Sequence, residues 1–357
     1  MNKNLIALAV AGACVAPAAM AQTANPVTLY GRVHATFESV EATGGASGTA
    51  EVIRRNRVSD QASLLGVRGT EDLGGGLSAF FQLETAFKPD ENNTTFAARN
   101  SGVGVQGGWG SLLLGRWDTP FKVVTGAIDP FGDVTLGGLS AAMQGRGLVG
   151  AVASNQFDRR DQNVVQYWSP SWAGFAVRAS YAANEGRTAA ANPQRWSGSV
   201  SYTAGPLFLA IASDELKDNP YTGAALLKKQ TGDALMGNFT FGPIKVGALY
   251  ENFKRTGYTK QKAWMGNVVW TLGNNQLIYQ YQQSKDGQLS GSALAQPKCD
   301  VNSVGYQYNF SRRTFFLAQY TKVENNEEAG CGFGSQDLTI VKGQDPKGIS
   351  LGLRHIF

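Results

Sequence analysis

The sequence predicts an all-β fold, a 16-stranded antiparallel transmembrane β-barrel. Three observations predict it: apolar and polar residues alternate along most of the chain, short turns alternate with long polar connections, and no long apolar run follows residue 21. Alternation is typical of a strand with two unlike faces, whereas a membrane helix needs about 20 consecutive apolar residues. Of the 357 residues, 17% are charged and 44 are glycine, which disfavours an ordinary soluble domain.

The first segment of the chain has the pattern of a targeting signal. Lys3 precedes an apolar stretch, Leu5 to Ala21, that closes on the small-x-small ending Ala19-Met20-Ala21. A short basic head, an apolar middle and such an ending are typical of a cleavable secretory signal, and a buried N-terminal helix is the alternative. We therefore expect residues 1–21 to be a signal peptide and residues 22–357 to form the barrel domain.

The strand pattern is clearest at the two ends of the expected domain. From Val27 to Glu38 the odd positions are apolar or small, while the even positions include Arg32, His34 and Glu38. Because successive side chains of a strand point to opposite faces, these three are predicted to face the barrel interior. The last ten residues, ending at Phe357, repeat the alternation. Such segments have the length that crosses a bilayer at a tilt.

The connections between the strands fall into two kinds. Seven are short and rich in glycine, proline or asparagine, and eight are longer and polar. The longer ones lie near 41–57, 88–98, 117–157, 182–194, 215–230, 254–260, 286–299 and 325–346. Fifteen connections join 16 strands, and short turns on one side with long loops on the other are typical of an outer-membrane barrel. A soluble β-sandwich or a β-helix is the alternative.

Closure and size then determine what the interior contains. In hydrocarbon every backbone N–H and C=O needs a partner, and only a closed sheet leaves no unpaired edge. At about 16 strands a barrel is too wide for side chains to fill, so water enters. The sequence therefore predicts a water-filled tube.

Four segments carry a resemblance to a known family. Gly66–Leu77 resembles the first periplasmic turn of the general porins of betaproteobacteria and Neisseria, Leu114–Phe121 resembles their entry into the third loop, and Asp161–Pro170 resembles the next strand and turn. The terminal segment Gly348–Phe357 ends in the aromatic residue that members present to the outer-membrane assembly machinery. The resemblance covers residues 22–357 and implies a homotrimeric porin of the bacterial outer membrane.

The same resemblance places the selective part of the channel. The 117–157 connection is far longer than an ordinary loop, and such lengths are usually functional. By resemblance it folds into the lumen opposite a ladder of arginines, although Ser101–Val105 departs from the usual tyrosine-containing fourth strand. The residues predicted to line this constriction are Arg57, Arg99, Arg116, Asp118, Asp129, Asp133, Arg159 and Arg160. Arginine rings favour anions and acidic rings favour cations, and we expect a mild anion preference. Arg54 and Arg55 fit either the lumen or a solvated loop.

The sequence disfavours other chemistry. Gly102–Gly107 matches the dinucleotide fingerprint, but that motif needs a following helix and here another strand follows. The two histidines, His34 and His355, have no neighbours at ligand spacing, so we expect no metal, no cofactor and no enzyme. Without aromatic residues interleaved on a basic face, nucleic-acid binding is unsupported. Basic pairs at Lys228-Lys229 and Lys260–Lys262 suit loops that meet lipopolysaccharide phosphates.

Two cysteines remain once the expected signal peptide, with Cys14, is removed. Cys299 lies where the seventh loop meets the fourteenth strand and Cys331 lies in the eighth loop. These loops are neighbours on a closed barrel, and an exported chain with an even cysteine count permits a disulfide. We therefore expect Cys299 and Cys331 to be paired.

The function that fits these observations is passive diffusion of small hydrophilic solutes and ions through a water-filled pore. One alternative is a substrate-selective channel on the same barrel, in which an aromatic slide or a basic site binds particular organic anions. A barrel enzyme would need a catalytic set near the rim, and an adhesin would depend on its long loops.

Overall fold

The computed structural model describes residues 27–45, 50–91, 93–132, 134–146, 157–218, 228–335 and 338–357. In these ranges 18 strand segments form one antiparallel sheet that closes on itself, the last strand pairing with the first. Two of the spanning strands each consist of two segments that pair with the same neighbour, so the barrel has 16 strands. The predicted all-β barrel and its strand number are confirmed.

The strands have the following bounds in chain order. The first half comprises β1 Val27–Gly44, β2 Val52–Asp60 with Leu64–Gly74, β3 Leu77–Lys88, β4 Asn93–Thr95 with Ser101–Gly107, β5 Gly110–Asp118, β6 Arg160–Trp168, β7 Phe175–Ala182 and β8 Gln194–Ala204. The second half comprises β9 Leu207–Lys217, β10 Lys229–Phe241, β11 Ile244–Arg255, β12 Gln261–Leu272, β13 Asn275–Asp286, β14 Lys298–Asn309, β15 Thr314–Asn325 and β16 Gln344–Ile356. The helical elements within the described ranges are α1, Pro120–Gly126, and a 3₁₀ turn, Leu139–Ala141.

The two faces of the wall differ as the alternation predicts. On β1 Phe37 is 52% exposed on the outer face, whereas Glu38 is completely buried on the inner face. A wide outer band of exposed leucine, valine and aromatic side chains continues around the barrel. An apolar outer band with aromatic residues is what lipid contact requires. None of the helices in the described ranges is long and apolar enough to span a membrane.

Closure is built from the chain termini. Strands β1 and β16 pair in register from Arg32 opposite Ile356 to Gly44 opposite Gln344. The backbone N–H and C=O of Phe357 both bond to Gly31, at 3.0 Å each. No backbone edge is left open at the seam, which a membrane barrel requires.

The first long connection is shorter than predicted. Strand β1 continues to Gly44 and β2 begins at Val52, so Arg54 and Arg55 lie in a strand rather than in the expected 41–57 loop. The ladder extends because its polar side chains pair across the strands, as Arg54 does with Glu41 at 2.8 Å. Polar residues therefore mark a strand above the membrane here and not a loop.

Candidate functional site

The third long loop, L3 (residues 119–159), enters the barrel through a short helix. Thr119 caps α1, and its hydroxyl accepts the Lys122 N–H at 3.2 Å, as a helix start requires. Pro120 occupies the first turn, where no N–H is needed. Phe121 on this helix is fully buried against the rings of Phe157 and Phe253. The base of L3 is thus anchored to the inner wall by an apolar cluster.

Beyond the helix, side chains of the wall hold the backbone of L3. Gln280 and Gln282 each donate to the carbonyl of Gly137 at 2.9 Å. Glu251 accepts the backbone N–H of Gln144 at 2.7 Å. Buried backbone groups need such partners. The polar inner face of the barrel therefore stabilises the inward fold of the loop, as the sequence predicted.

The eighth long loop, L8 (residues 326–343), lies against L3. Cys299 at the start of β14 and Cys331 in L8 are joined by a disulfide with a Cα–Cα distance of 6.2 Å. The Ser140 hydroxyl in L3 donates to the Gly334 carbonyl at 2.9 Å, and the Gly334 N–H donates to the Leu136 carbonyl at 3.0 Å. The disulfide thus fixes to the wall a loop that also supports L3.

Arginines on the opposite wall form ion pairs. Arg57 on β2 lies 2.7 Å from Glu38, which faces it directly in the register of β1 and β2. Arg99, between the two segments of β4, lies 2.6 Å from Glu84 on β3. The predicted lumen position of Glu38 is thereby explained: it is buried under an arginine and does not contact open water.

Two further carboxylates on this wall each contact two cations. Asp118, the last residue of β5, lies 3.0 Å from Arg160 and 3.7 Å from Lys122. Asp161 lies 3.1 Å from Arg159 and 2.7 Å from Arg195. Lys122 also lies 2.5 Å from Asp158. Nearby, Arg116 donates to the Ala98 carbonyl at 2.7 Å. These ion pairs form the charged waist of the barrel, in which acidic and basic side chains alternate and Asp118 and Asp161 each contact two cations.

The remaining predicted residues have different surroundings. Asp129 in L3 accepts the backbone N–H groups of Phe131 at 3.0 Å and Leu139 at 2.6 Å, so its carboxylate braces the loop. Asp133 lies outside the described residues. Buried Arg146 in L3 donates to the Ser140 carbonyl at 3.2 Å, and burial lowers the pKa of Arg146 to about 10.

Two predicted inner-face residues lie on β1 below this waist. Arg32 donates to the Ala62 carbonyl at 2.7 Å. His34 is only 5% exposed, and its ring contacts Phe315 edge-on with the centroids 5.8 Å apart. Both side chains lie on the inner face of β1, and His34 packs against an aromatic ring rather than lining open water.

The wall also carries arginines that contact aromatic faces. Arg68 lies 5.0 Å from the ring centre of Tyr30, Arg178 lies 5.8 Å from Trp168, and Arg354 lies 5.2 Å from Phe315. Within the described ranges none of these three has a carboxylate within 4 Å. Guanidinium groups bind aromatic faces while their N–H groups stay available.

Sequence reasoning missed several members of the waist. Glu84, Lys122, Asp158, Asp161 and Arg195 were not predicted. For Glu84 and Asp161 a signal existed, because each is an acid on the inward parity of a predicted strand. For Arg195 there was none, since its contact with Asp161 joins β8 to β6.

A closed barrel of this size, with an inward loop and a charged waist, defines an outer-membrane channel protein. The chain belongs to the Gram-negative porin family, whose model matches residues 7–328. Outer membrane porin protein 32 of Delftia acidovorans is 29% identical over the whole of both chains. The major outer membrane protein P.IB of Neisseria meningitidis serogroup B is 27% identical, also over both whole chains.

Solved structures agree with this family. An anion-selective porin from Comamonas acidovorans has a TM-score of 0.76 and 26% identity, covering 93% of this chain and all of that one. The trimer form of OmpT from Vibrio cholerae has a TM-score of 0.70 at 18% identity, covering 94% of this chain and all of that one, a likeness of fold. The predicted family, its non-enzymatic channel function and its location in the bacterial outer membrane are confirmed.

Proposed function

We propose that the channel admits small hydrophilic solutes and ions by passive diffusion with a mild preference for anions. The observation that carries the proposal is the sharing of carboxylates at the waist. Asp161 contacts two arginines, so positive charge exceeds negative charge among these three side chains, whereas the cluster around Asp118 is balanced because Lys122 also pairs with Asp158. A cationic constriction lowers the barrier for anions. The anion selectivity named for the Comamonas acidovorans porin supports the same direction.

The experiment is a reversal-potential measurement in a planar bilayer with a KCl gradient. The expected sign is that of chloride moving more readily than potassium. A potential of the cation-selective sign would refute the preference and leave the channel function standing.

The ends of the chain carry two further proposals. Residues 1–21 are a signal peptide and residues 22–357 the barrel domain; mass spectrometry of the exported protein tests this, with Gln22 expected as the first residue. Phe357 is the signal read by the outer-membrane assembly machinery. Its backbone is bonded to Gly31 in the folded barrel, so recognition precedes closure. Deleting Phe357 should lower the yield of folded protein in cells more than in refolding from detergent.

The outer-membrane partners are a second and a third copy of the chain and lipopolysaccharide. The trimer form of OmpT supports a homotrimer. Heat-modifiable migration in detergent gels, with cross-linking to three chains before heating, tests the assembly.

A second candidate function, a channel selective for particular organic anions, has its own observation. The ring of Trp168 lies 5.3 Å from that of Trp117 and 6.4 Å from that of Phe80, and Arg178 covers Trp168. Phe80 lies over Gly104, where a Cβ would come within 2.5 Å of the ring. An apolar patch beside a guanidinium on an otherwise polar inner face suits an organic anion with an apolar body.

Block of the chloride current by benzoate separates the two candidates. A selective channel predicts that benzoate blocks more strongly than acetate and that Arg178→Gln abolishes the difference. Phe175→Leu, on the outer face of β7, is the matched control. Benzoate and acetate should block the current of this variant as they block that of the wild type. Equal block by both anions would exclude the selective channel.

A further inference from the structure

The outer surface of the barrel carries a row of lysines at the rim formed by the long loops. Eight consecutive strands, β9 to β16, each place one lysine on the outer face near that rim. They are Lys217, Lys229, Lys254, Lys262, Lys285, Lys298, Lys322 and Lys347. Each shares the outward parity of exposed apolar residues on its own strand, such as Leu235 on β10 and Trp264 on β12. Long loops lie on the extracellular side of such barrels, so the row faces the outer leaflet.

Carboxylates of the chain neutralise one part of this row. Glu215 lies between Lys217 at 3.1 Å and Lys229 at 2.8 Å, which are opposite each other in the register of β9 and β10. The other pairs are Lys298 with Asp300 at 2.8 Å, Lys322 with Glu324 at 2.6 Å, and Lys347 with Glu41 at 3.1 Å. The lysines on β9, β10 and β14 to β16 are therefore each paired with a carboxylate of the chain.

Three adjacent lysines differ from the rest. Lys254 on β11, Lys262 on β12 and Lys285 on β13 have no carboxylate within 4 Å in the described ranges. Lys262 and Lys285 stand directly opposite each other in the register of β12 and β13. Like charges in that position destabilise a sheet. An anion from outside the chain would relieve the repulsion that no acid of the chain relieves.

The level of these lysines relative to the membrane is given by the aromatic residues beside them. Trp264 follows Lys262 by two residues on the same face, pairs with Tyr250 on β11, and has its ring 4.8 Å from that of Tyr281 on β13. Such aromatic residues lie at the boundary between hydrocarbon and headgroups. Lys254, Lys262 and Lys285 therefore lie at the level of lipid phosphates.

We propose that Lys254, Lys262 and Lys285 form a binding site for a phosphate group of the phosphorylated glycolipid of the outer leaflet, the lipid A part of lipopolysaccharide. The inference rests on the proposed lipopolysaccharide partner and names the residues and the group that they bind. Ammonium groups act as point charges for phosphate, and the aromatic residues below contact the acyl and sugar boundary. The acid-paired lysines on β9 and on β14 to β16 contribute less, because their charge is already satisfied.

The test measures binding of lipid A to the full-length protein in detergent by native mass spectrometry. The variant K254Q/K262Q/K285Q removes the unpaired lysines, and K217Q/K229Q/K298Q removes three acid-paired lysines as a matched control. We expect the first variant to bind lipid A at least about tenfold more weakly than the wild type, and the control to retain most of the affinity. Dephosphorylated lipid A should bind the wild type as weakly as intact lipid A binds K254Q/K262Q/K285Q.

Two results would overturn the site. One is unchanged binding of lipid A by K254Q/K262Q/K285Q, and the other is binding of dephosphorylated lipid A by the wild type as tight as that of intact lipid A. Displacement of lipid A by millimolar inorganic phosphate would show a free-anion site instead. Heat-modifiable migration checks that each variant folds. Single-channel current is recorded in parallel: a silent channel with intact lipid A binding would refute the channel and not the site.

Discussion

At the scale of single residues, the charge balance of the waist depends on shared carboxylates. Asp161 contacts Arg159 and Arg195 through the same oxygen, so its one negative charge serves two guanidinium groups. The side chains of the two arginines remain 14% and 13% exposed, which leaves their charge within reach of a passing anion. Changing this acid changes selectivity more directly than changing a fully paired arginine does.

Asp161→Asn tests this balance. Loss of the carboxylate leaves two arginines without their shared acid, so the ratio of chloride to potassium permeability should rise by roughly twofold, as expected for one charge screened by water. The reversal potential in a KCl gradient measures the change. Asp233→Asn, on the outer face of β10, is the control and should leave the ratio unaltered. A lower ratio in Asp161→Asn would contradict the assignment.

The ion pairs also mark where sequence reasoning reaches its limit. Arg57, Arg99 and Arg160 were predicted to lie together because they follow a family pattern, and the structure brings each beside an acid. Which acid could not be predicted, because Glu38 meets Arg57 and Asp118 meets Arg160 through the register of neighbouring strands, while Asn100 contacts Arg160 from the stretch between the two segments of β4. Register depends on turn and bulge geometry that the alternation of residues does not specify.

At the scale of elements, L3 is held close to the wall at a glycine. A Cβ on Gly137 would come within 2.1 Å of the Ser303 hydroxyl oxygen and 2.5 Å of the Gln319 amide nitrogen. Both groups belong to neighbouring wall strands, so added volume at this position has space only toward the lumen. The width of the pore thus depends on the absence of a side chain.

Gly137→Ala should narrow the pore and lower the single-channel conductance. The methyl group displaces L3 inward, which reduces the open cross-section. Gly126→Ala, in the same loop but with no heavy atom within 4 Å of its Cβ position, is the matched control. Conductance that falls equally in both variants, or in neither, would contradict this account of the contact.

The disulfide gives a second prediction at this scale. Cys299 and Cys331 are 32 residues apart, and closing a loop of that length contributes about 3–4 kcal/mol in the chain-entropy model. Cys331→Ser should therefore loosen L8 and expose it to protease, while the barrel keeps its heat-modifiable migration. Ser335→Ala in the same loop serves as the control. An equally resistant L8 in Cys331→Ser would show that its packing on L3 suffices without the bond.

Elements of regular alternation could be predicted best. The 16 strands and the alternation of turns with loops followed from residue pattern, because lipid and water select opposite faces of every strand. The ends of the first loop could not be predicted, since Arg54 and Glu41 pair outside the hydrocarbon where polarity no longer distinguishes strand from loop.

At the scale of the whole molecule, one physical requirement connects the seam, the loops and the waist. The pairing of β1 with β16 satisfies the backbone in lipid, and the resulting width admits water that L3 then restricts. The inner polar face both supports L3 and carries the charges that select ions. The outer face carries a lysine row on β9 to β16 at the level of the headgroups.

The single-channel current of the purified protein in a planar lipid bilayer tests the central claim most directly. A wet tube narrowed by L3 predicts discrete, ohmic steps in KCl. Membranes that stay electrically silent after insertion of heat-modifiable, β-rich protein would contradict the open waist and the channel built around it.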